Sequence, residues 1–210
     1  MTKAGRLATV VLMALVVALG LGLGLGLGLG TGGPSSSVEP PSQGVALGAY
    51  AHFSKPVDVP LDKSISKLEA QIGRPLDIVQ EFYAWTDPFP DGNPADGTYG
   101  DIPYRTYQTP GAVYMVTWAD YSGKHSNRAI ASGAYDADIR AHAEALKKFG
   151  HPVFLRLDSE MNGDTYPWSG AKSGGKDGGP ASYVAMWRHV HDIFADVGAT
   201  NVSWVWTVNS

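Results

Sequence analysis

The stretch Phe154–Trp168 holds the residue types a sugar-cleaving site needs. An apolar run over Phe154–Leu157 is followed by a carboxylate, Glu160, with Asn162, Gly163, Asp164, Tyr166 and Trp168 directly behind it. Aromatic faces stack on pyranose rings, and amides and carboxylates read sugar hydroxyls. A carboxylic acid with an elevated pKa can protonate a glycosidic oxygen. The competing reading makes Glu160 a helix N-terminal charge and the aromatics core. Gly163 and Pro167 argue against a helix at this point.

A strand must deliver Glu160, and the pattern around it alternates strands with helices. Strand-like runs cover 45–53, 76–85, 112–118, 153–157 and 202–208. Leu61, Ile65, Leu68 and Ile72 recur at helical spacing before Gly73. The segment 136–149 places Ile139, Leu146 and Phe149 on one face, with Asp136 and Asp138 at its start, Lys147 and Lys148 at its end, and Gly150 as its stop. Pro180 opens a further helix with Val184, Trp187, Val190, Phe194 and Val197 on one side and Gly198 behind it. The long loop 86–110 has room for a short helix near Tyr104.

Strands separated by helices imply a parallel sheet with right-handed crossovers. His52, Trp85, Trp118, Glu160 and Asn209 all fall just after strands. Both a (β/α) barrel and an open doubly wound sheet place ligands there. The first strand has no glycine-rich phosphate loop, which disfavours a nucleotide fold. The pattern therefore predicts an α/β chain, a (β/α)8 TIM barrel carrying about five of its eight strands. An open half-barrel is expected to expose edge strands and apolar lining.

The chain of 210 residues has no cysteine, which excludes a disulfide framework, a thiolate metal site and a cysteine nucleophile. Net charge is −4; without Lys3 and Arg6, 14 basic residues stand against 20 acidic ones, or −6. That surface disfavours nucleic acid and anionic membrane and suits a neutral polysaccharide. Lys3 and Arg6 precede an apolar run from Leu7 and a Leu-Gly repeat to Gly30, so residues 1–31 read as a signal peptide or a retained N-terminal anchor. Residues 32–43 read as a flexible linker and 44–210 as the N-terminal part of a catalytic domain lying outside the cytoplasm, secreted or at the cell surface.

Glu160–Trp168 resembles the acid/base motif of glycoside hydrolase family 26, the β-mannanase family. Gly111–Trp118 resembles its third strand, and Tyr183–His191 with Gly198–Trp206 the helix and fifth strand after the acid; the likeness runs from Gly44 to Asn209. The resemblance implies a (β/α)8 fold and a retaining mechanism, with Glu160 as proton donor and a nucleophile on strand seven that has no counterpart in these residues. It further implies Tyr166 and Trp168 as sugar platforms and Asn162 as a substrate contact. Trp85, Trp118 and Trp206 either line the cleft or fill the barrel, and His52 is a further cleft candidate. Asp158, beside Arg156, reads as structural support.

Three positions depart from the family pattern. Ser159 and Thr165 stand where His and Trp are common, and Ala119 follows Trp118 where His or Glu is common. Mannan and a related β-linked polysaccharide both remain open as substrates. A non-catalytic carbohydrate-binding protein, or a decayed gene product, is the alternative to an endo-glycosidase. No metal and no organic cofactor is implied. His189 and His191 do not share a helix face, and Asn201–Ser203 matches a glycosylation sequon.

Overall fold

The computed structural model describes residues 37–51, 61–91, 112–173 and 179–210. The leader, His52 and the segment around Tyr104 lie outside the described residues. The elements run β1 (Gly48–Ala49), α1 (Leu61–Ile72), β2 (Ile78–Ala84), β3 (Val113–Ala119), α2 (Asn127–Ala131), α3 (Asp136–Phe149), β4 (Val153–Leu157), α4 (Gly170–Ser173), α5 (Gly179–Val197) and β5 (Val202–Trp204). All four strand pairings are parallel, and the sheet order is the chain order, β1-β2-β3-β4-β5. A doubly wound sheet would reverse its order at a switch point. This one winds in one sense only, as a barrel does, and forms part of a (β/α)8 fold.

Register assigns the faces. Phe82, Thr117 and Arg156 form one row across β2, β3 and β4; Tyr83, Trp118 and Leu157 form the next. Successive strand residues point to opposite faces. Trp118 stacks on His142 of α3 at 4.8 Å, so its row faces the helices. The Phe82 row lines the inside. There Arg156 Nε donates to Thr117 Oγ1 at 3.1 Å, and the guanidinium sits 5.8 Å from the Phe82 ring centre.

Helix α3 matches its sequence pattern. Ile139, Ala143, Leu146 and Phe149 are buried, acids begin it, lysines end it, and Gly150 closes it at φ 72°. The other helices depart in detail. In α1, Ile65 and Leu68 are buried but Ile72 is exposed. In α5 the buried face is Tyr183, Met186, Val190, Ile193 and Phe194, while Val184 is exposed. Two overlapping apolar stripes were available on α5. The buried Tyr183 hydroxyl, bonded to the carbonyls of Leu157 and Asp158, accompanies the stripe that won. Helix α2 lacks a strong apolar period and was invisible to it; Ser126 caps it, accepting the Ala129 N–H.

The outer strands are shorter than their patterns predict. Strand β1 keeps only Gly48 and Ala49. Gly48 lies so close to β2 that an added Cβ would sit 2.9 Å from Ile78 Cβ. Just beyond β5 the Val205 N–H still donates to the Leu155 carbonyl at 2.9 Å. Within the predicted linker, the Val38 N–H donates to Ser203 Oγ at 3.3 Å. Among the described residues, no helix is long and apolar enough to cross a membrane, and no cluster of three His, Asp or Glu could hold a metal.

Candidate active site

The chain turns sharply where β4 ends. Among the described residues, Asp158 and Glu160 are the non-glycine residues with positive φ, at 40° and 59°. A left-handed backbone costs an L-residue roughly 1–2 kcal/mol, so surrounding contacts must hold it. Those contacts are present. The Asp158 N–H donates to the Trp118 carbonyl at 2.9 Å, and the Tyr183 hydroxyl donates to the Asp158 carbonyl at 2.9 Å. Trp168 Nε1 donates to the Ser159 carbonyl at 2.9 Å. The Glu160 N–H donates to the Thr207 carbonyl at 3.2 Å, and the Gly163 N–H to the Glu160 carbonyl at 3.0 Å.

This turn presents the Glu160 carboxyl, half-buried, with its Oε2 accepting from Asn209 Nδ2 at 3.3 Å. Asn162 is exposed, but its amide is already engaged. Its Nδ2 donates to the Asn209 carbonyl and its Oδ1 accepts the Asn209 N–H, both at 2.7 Å. The side chain mimics a strand edge and ties the chain after β5 to the acid loop. In this structure it positions Asn209 against Glu160.

The aromatic residues divide between surface and core. Tyr166 and Trp168 stack at 4.5 Å, 5° from parallel, and Tyr121 meets both rings edge-on. Tyr166 is half-buried and Tyr121 is 45% exposed, but Trp168 is only 3% exposed. A sugar ring cannot lie on a face already covered, so Trp168 backs Tyr166 and anchors the turn; its platform role is corrected. Trp118 and Trp85 need the same correction as cleft residues. They stack on each other at 4.4 Å and are buried between sheet and α3, with Trp118 Nε1 donating to the Trp85 carbonyl. Trp206 is exposed, but it lies against Tyr183 and Trp187 of α5, on the helix side of the sheet. His52 is outside the described residues.

Several contributors escaped the sequence reading. Arg156 is buried under the site. Burial pulls its guanidinium below the usual range, and Tyr121, Glu160 and Tyr166 push it back up. The clue was proximity in sequence: Arg156 lies near the end of β4, two residues before the turn that holds Asp158 and Glu160. Tyr121, in the loop after β3, has a phenol pushed up to about 12, chiefly by burial and then by Tyr166. Asp120 sits beside it. Burial alone would raise that carboxyl, but bonds from Ser122 and from the His125 N–H, with the nearby His125 ring, hold it below the ordinary carboxylate range. Nothing in the local pattern distinguishes Asp120 or Tyr121 from ordinary loop residues.

Other sequence candidates resolve as structure. Asn201 is buried, and its Nδ2 donates to the carbonyls of Leu146 and His151, both at 2.8 Å. That amide is not available for glycosylation. His189 pairs with Asp136 of α3 at 2.6 Å, and His191 stacks on Trp187.

A singly wound parallel sheet with its acid-bearing turn at the carboxyl end of β4 defines part of a (β/α)8 barrel. No protein-family model matches the chain. It is 33% identical over 168 residues to Endoglucanase H of Acetivibrio thermocellus, a family 26 member, covering 80% of this chain and 17% of that protein. It is 30% identical over 97 residues to the β-1,3-xylanase TXYA of a Vibrio species, covering 46% of this chain and 18% of that one. The chain therefore spans under a fifth of either relative, at 17% and 18%. Among solved structures it resembles a β-mannanase from a symbiotic protist of the termite Reticulitermes speratus, complexed with gluco-manno-oligosaccharide. The TM-score is 0.57 at 16% identity, over 78% of this chain and 56% of that one, a likeness of fold alone. Over the part it covers, the chain is similar to a glycoside hydrolase of the family 26 type.

Proposed function

We propose that these residues form the acid/base half of a secreted, retaining endo-glycosidase acting on β-mannan or a related β-linked polysaccharide. The observation that carries the proposal is the Glu160 turn, two strained residues held by bonds to β3, α5, the loop that follows and the chain beyond β5, at the end of the sheet where barrel enzymes do chemistry. Glu160 gives its proton to the departing glycosidic oxygen. In the second half-reaction its carboxylate takes a proton from water. A retaining site needs a second carboxylate about 5–5.5 Å away as nucleophile. Asp158 does not suit that role, being buried and bonded to the Asp120 N–H. We assign the nucleophile to a strand outside these residues. Arg156 lies beneath the acid, and the open rings of Tyr121 and Tyr166 offer surfaces for sugar.

Reducing-end release from mannan, mixed-linkage glucan and xylan tests this reading. The purified chain is expected to release none, while a complete barrel carrying this segment releases ends in a manner that Glu160→Ala abolishes. Glu160-dependent release by the 210-residue chain alone would mean an unrecognised nucleophile within it. Binding without hydrolysis by the complete barrel would favour a carbohydrate-binding protein.

A further inference from the structure

Asp158 is the most deeply enclosed carboxyl among the described residues, and the chemistry above leaves it unused. It is 1% exposed. Its Oδ1 accepts the Asp120 N–H at 3.2 Å, and its Oδ2 has no partner among the described residues. It forms no ion pair among the described residues. The nearby guanidinium, Arg156, is turned to Thr117 Oγ1 and the Phe82 ring. The other charged or titratable groups around it offer no compensating cation. Asp120 and Tyr121 follow β3, Glu160 lies two residues on in the same turn, and Tyr183 of α5 donates its hydroxyl to the Asp158 carbonyl. His125 is engaged with Asp120.

We propose that Asp158 is a positioning residue, a carboxyl that keeps its proton in the folded chain and fastens the end of β3 to the turn that presents Glu160. An ionised Asp158 would bury an unpaired charge next to the Asp120 carboxylate, an arrangement that burial strongly disfavours. The neutral acid leaves one O–H to satisfy instead. Burial, with the Asp120 charge adding to it, pushes the group up to about 8 against the weaker pull of the Asp120 N–H. Two adjacent carboxyls driven apart in this way hold opposite protonation states. The positioning role rests on the reading of Glu160 as the acid. With Asp158 neutral, the turn carries one negative charge when Glu160 is ionised, and that charge helps to stabilise the Arg156 guanidinium.

Thermal unfolding of the whole chain between pH 4 and pH 9, wild type against Asp158→Asn, tests the protonation. The unfolded chain gives up this proton near pH 4 and the folded chain only near 8. Stability from this group is therefore complete below pH 4 and lost as pH rises to 8. The wild-type midpoint should fall, relative to the Asn variant, by on the order of 10 °C across that window. Parallel curves would overturn the proposal. If the variant fails to fold, carboxyl carbon NMR on the wild-type chain decides, a midpoint near 8 supporting the proposal and one near 4 refuting it. Hydrogen exchange tests the fastening. The Asp120 N–H should stay slow in Asp158→Asn and become fast in Asp158→Ala, and equal rates would refute the link. None of these readouts involves a sugar, so they stand or fall apart from the glycosidase reading.

Discussion

Replacing Trp168 by Phe separates an anchor from a platform. The indole is 3% exposed, lies flat on Tyr166, and donates from Nε1 to the Ser159 carbonyl at 2.9 Å. Phe keeps a ring against Tyr166 but has no donor. Ser159 is itself buried, so its carbonyl loses a partner it cannot replace with bulk water. An unsatisfied buried acceptor costs about 1–3 kcal/mol, and the space left by the smaller ring adds about 1 kcal/mol. A loss of about 3 kcal/mol lowers the melting midpoint of a domain this size by about 6–12 °C. Circular dichroism melting of wild type and Trp168→Phe reads this directly, with manno-oligosaccharide affinity measured calorimetrically well below both midpoints. A midpoint within 1 °C of wild type, together with a tenfold weaker affinity, would refute the anchor assignment and return Trp168 to the sugar.

Tyr183→Phe removes the hydroxyl that holds the Asp158 and Leu157 carbonyls, at 2.9 and 3.3 Å, and should cost about 1–3 kcal/mol by chemical denaturation with an unchanged m value. A change below about 0.5 kcal/mol would mean that the strained turn does not depend on that bond. Gly48→Ala pushes a methyl to 2.9 Å from Ile78 Cβ and should lower stability by about 1–3 kcal/mol; a neutral result would show that β1 can draw back from β2 without cost.

Much of this arrangement was legible in the chain. Alternating apolar runs and capped helices indicated the parallel sheet, and α3 was readable almost residue by residue because acids, apolar stripe, lysines and glycine agree there. The strand carrying Glu160 was legible for a similar reason, an apolar run with functional residue types behind it. Burial of the tryptophans was not. An indole suits a sugar or a core equally, and only the stacking of Trp118 between Trp85 and His142 distinguishes the two. The α5 stripe was ambiguous because two apolar faces overlap. Asp120 and Tyr121 join the site through β3–β4 pairing, a tertiary fact without local periodicity.

The central claim, that Glu160 is the proton donor, is tested most directly by leaving-group dependence. In a complete barrel carrying this segment, Glu160→Ala should lose about 10²–10⁴-fold in polysaccharide hydrolysis, the usual worth of a positioned acid. Aryl glycosides with strongly acidic leaving groups need little protonation, so their glycosylation rate should fall far less. An equal fall for both classes, arising from KM alone, would contradict the assignment and reduce Glu160 to a sugar-binding carboxylate.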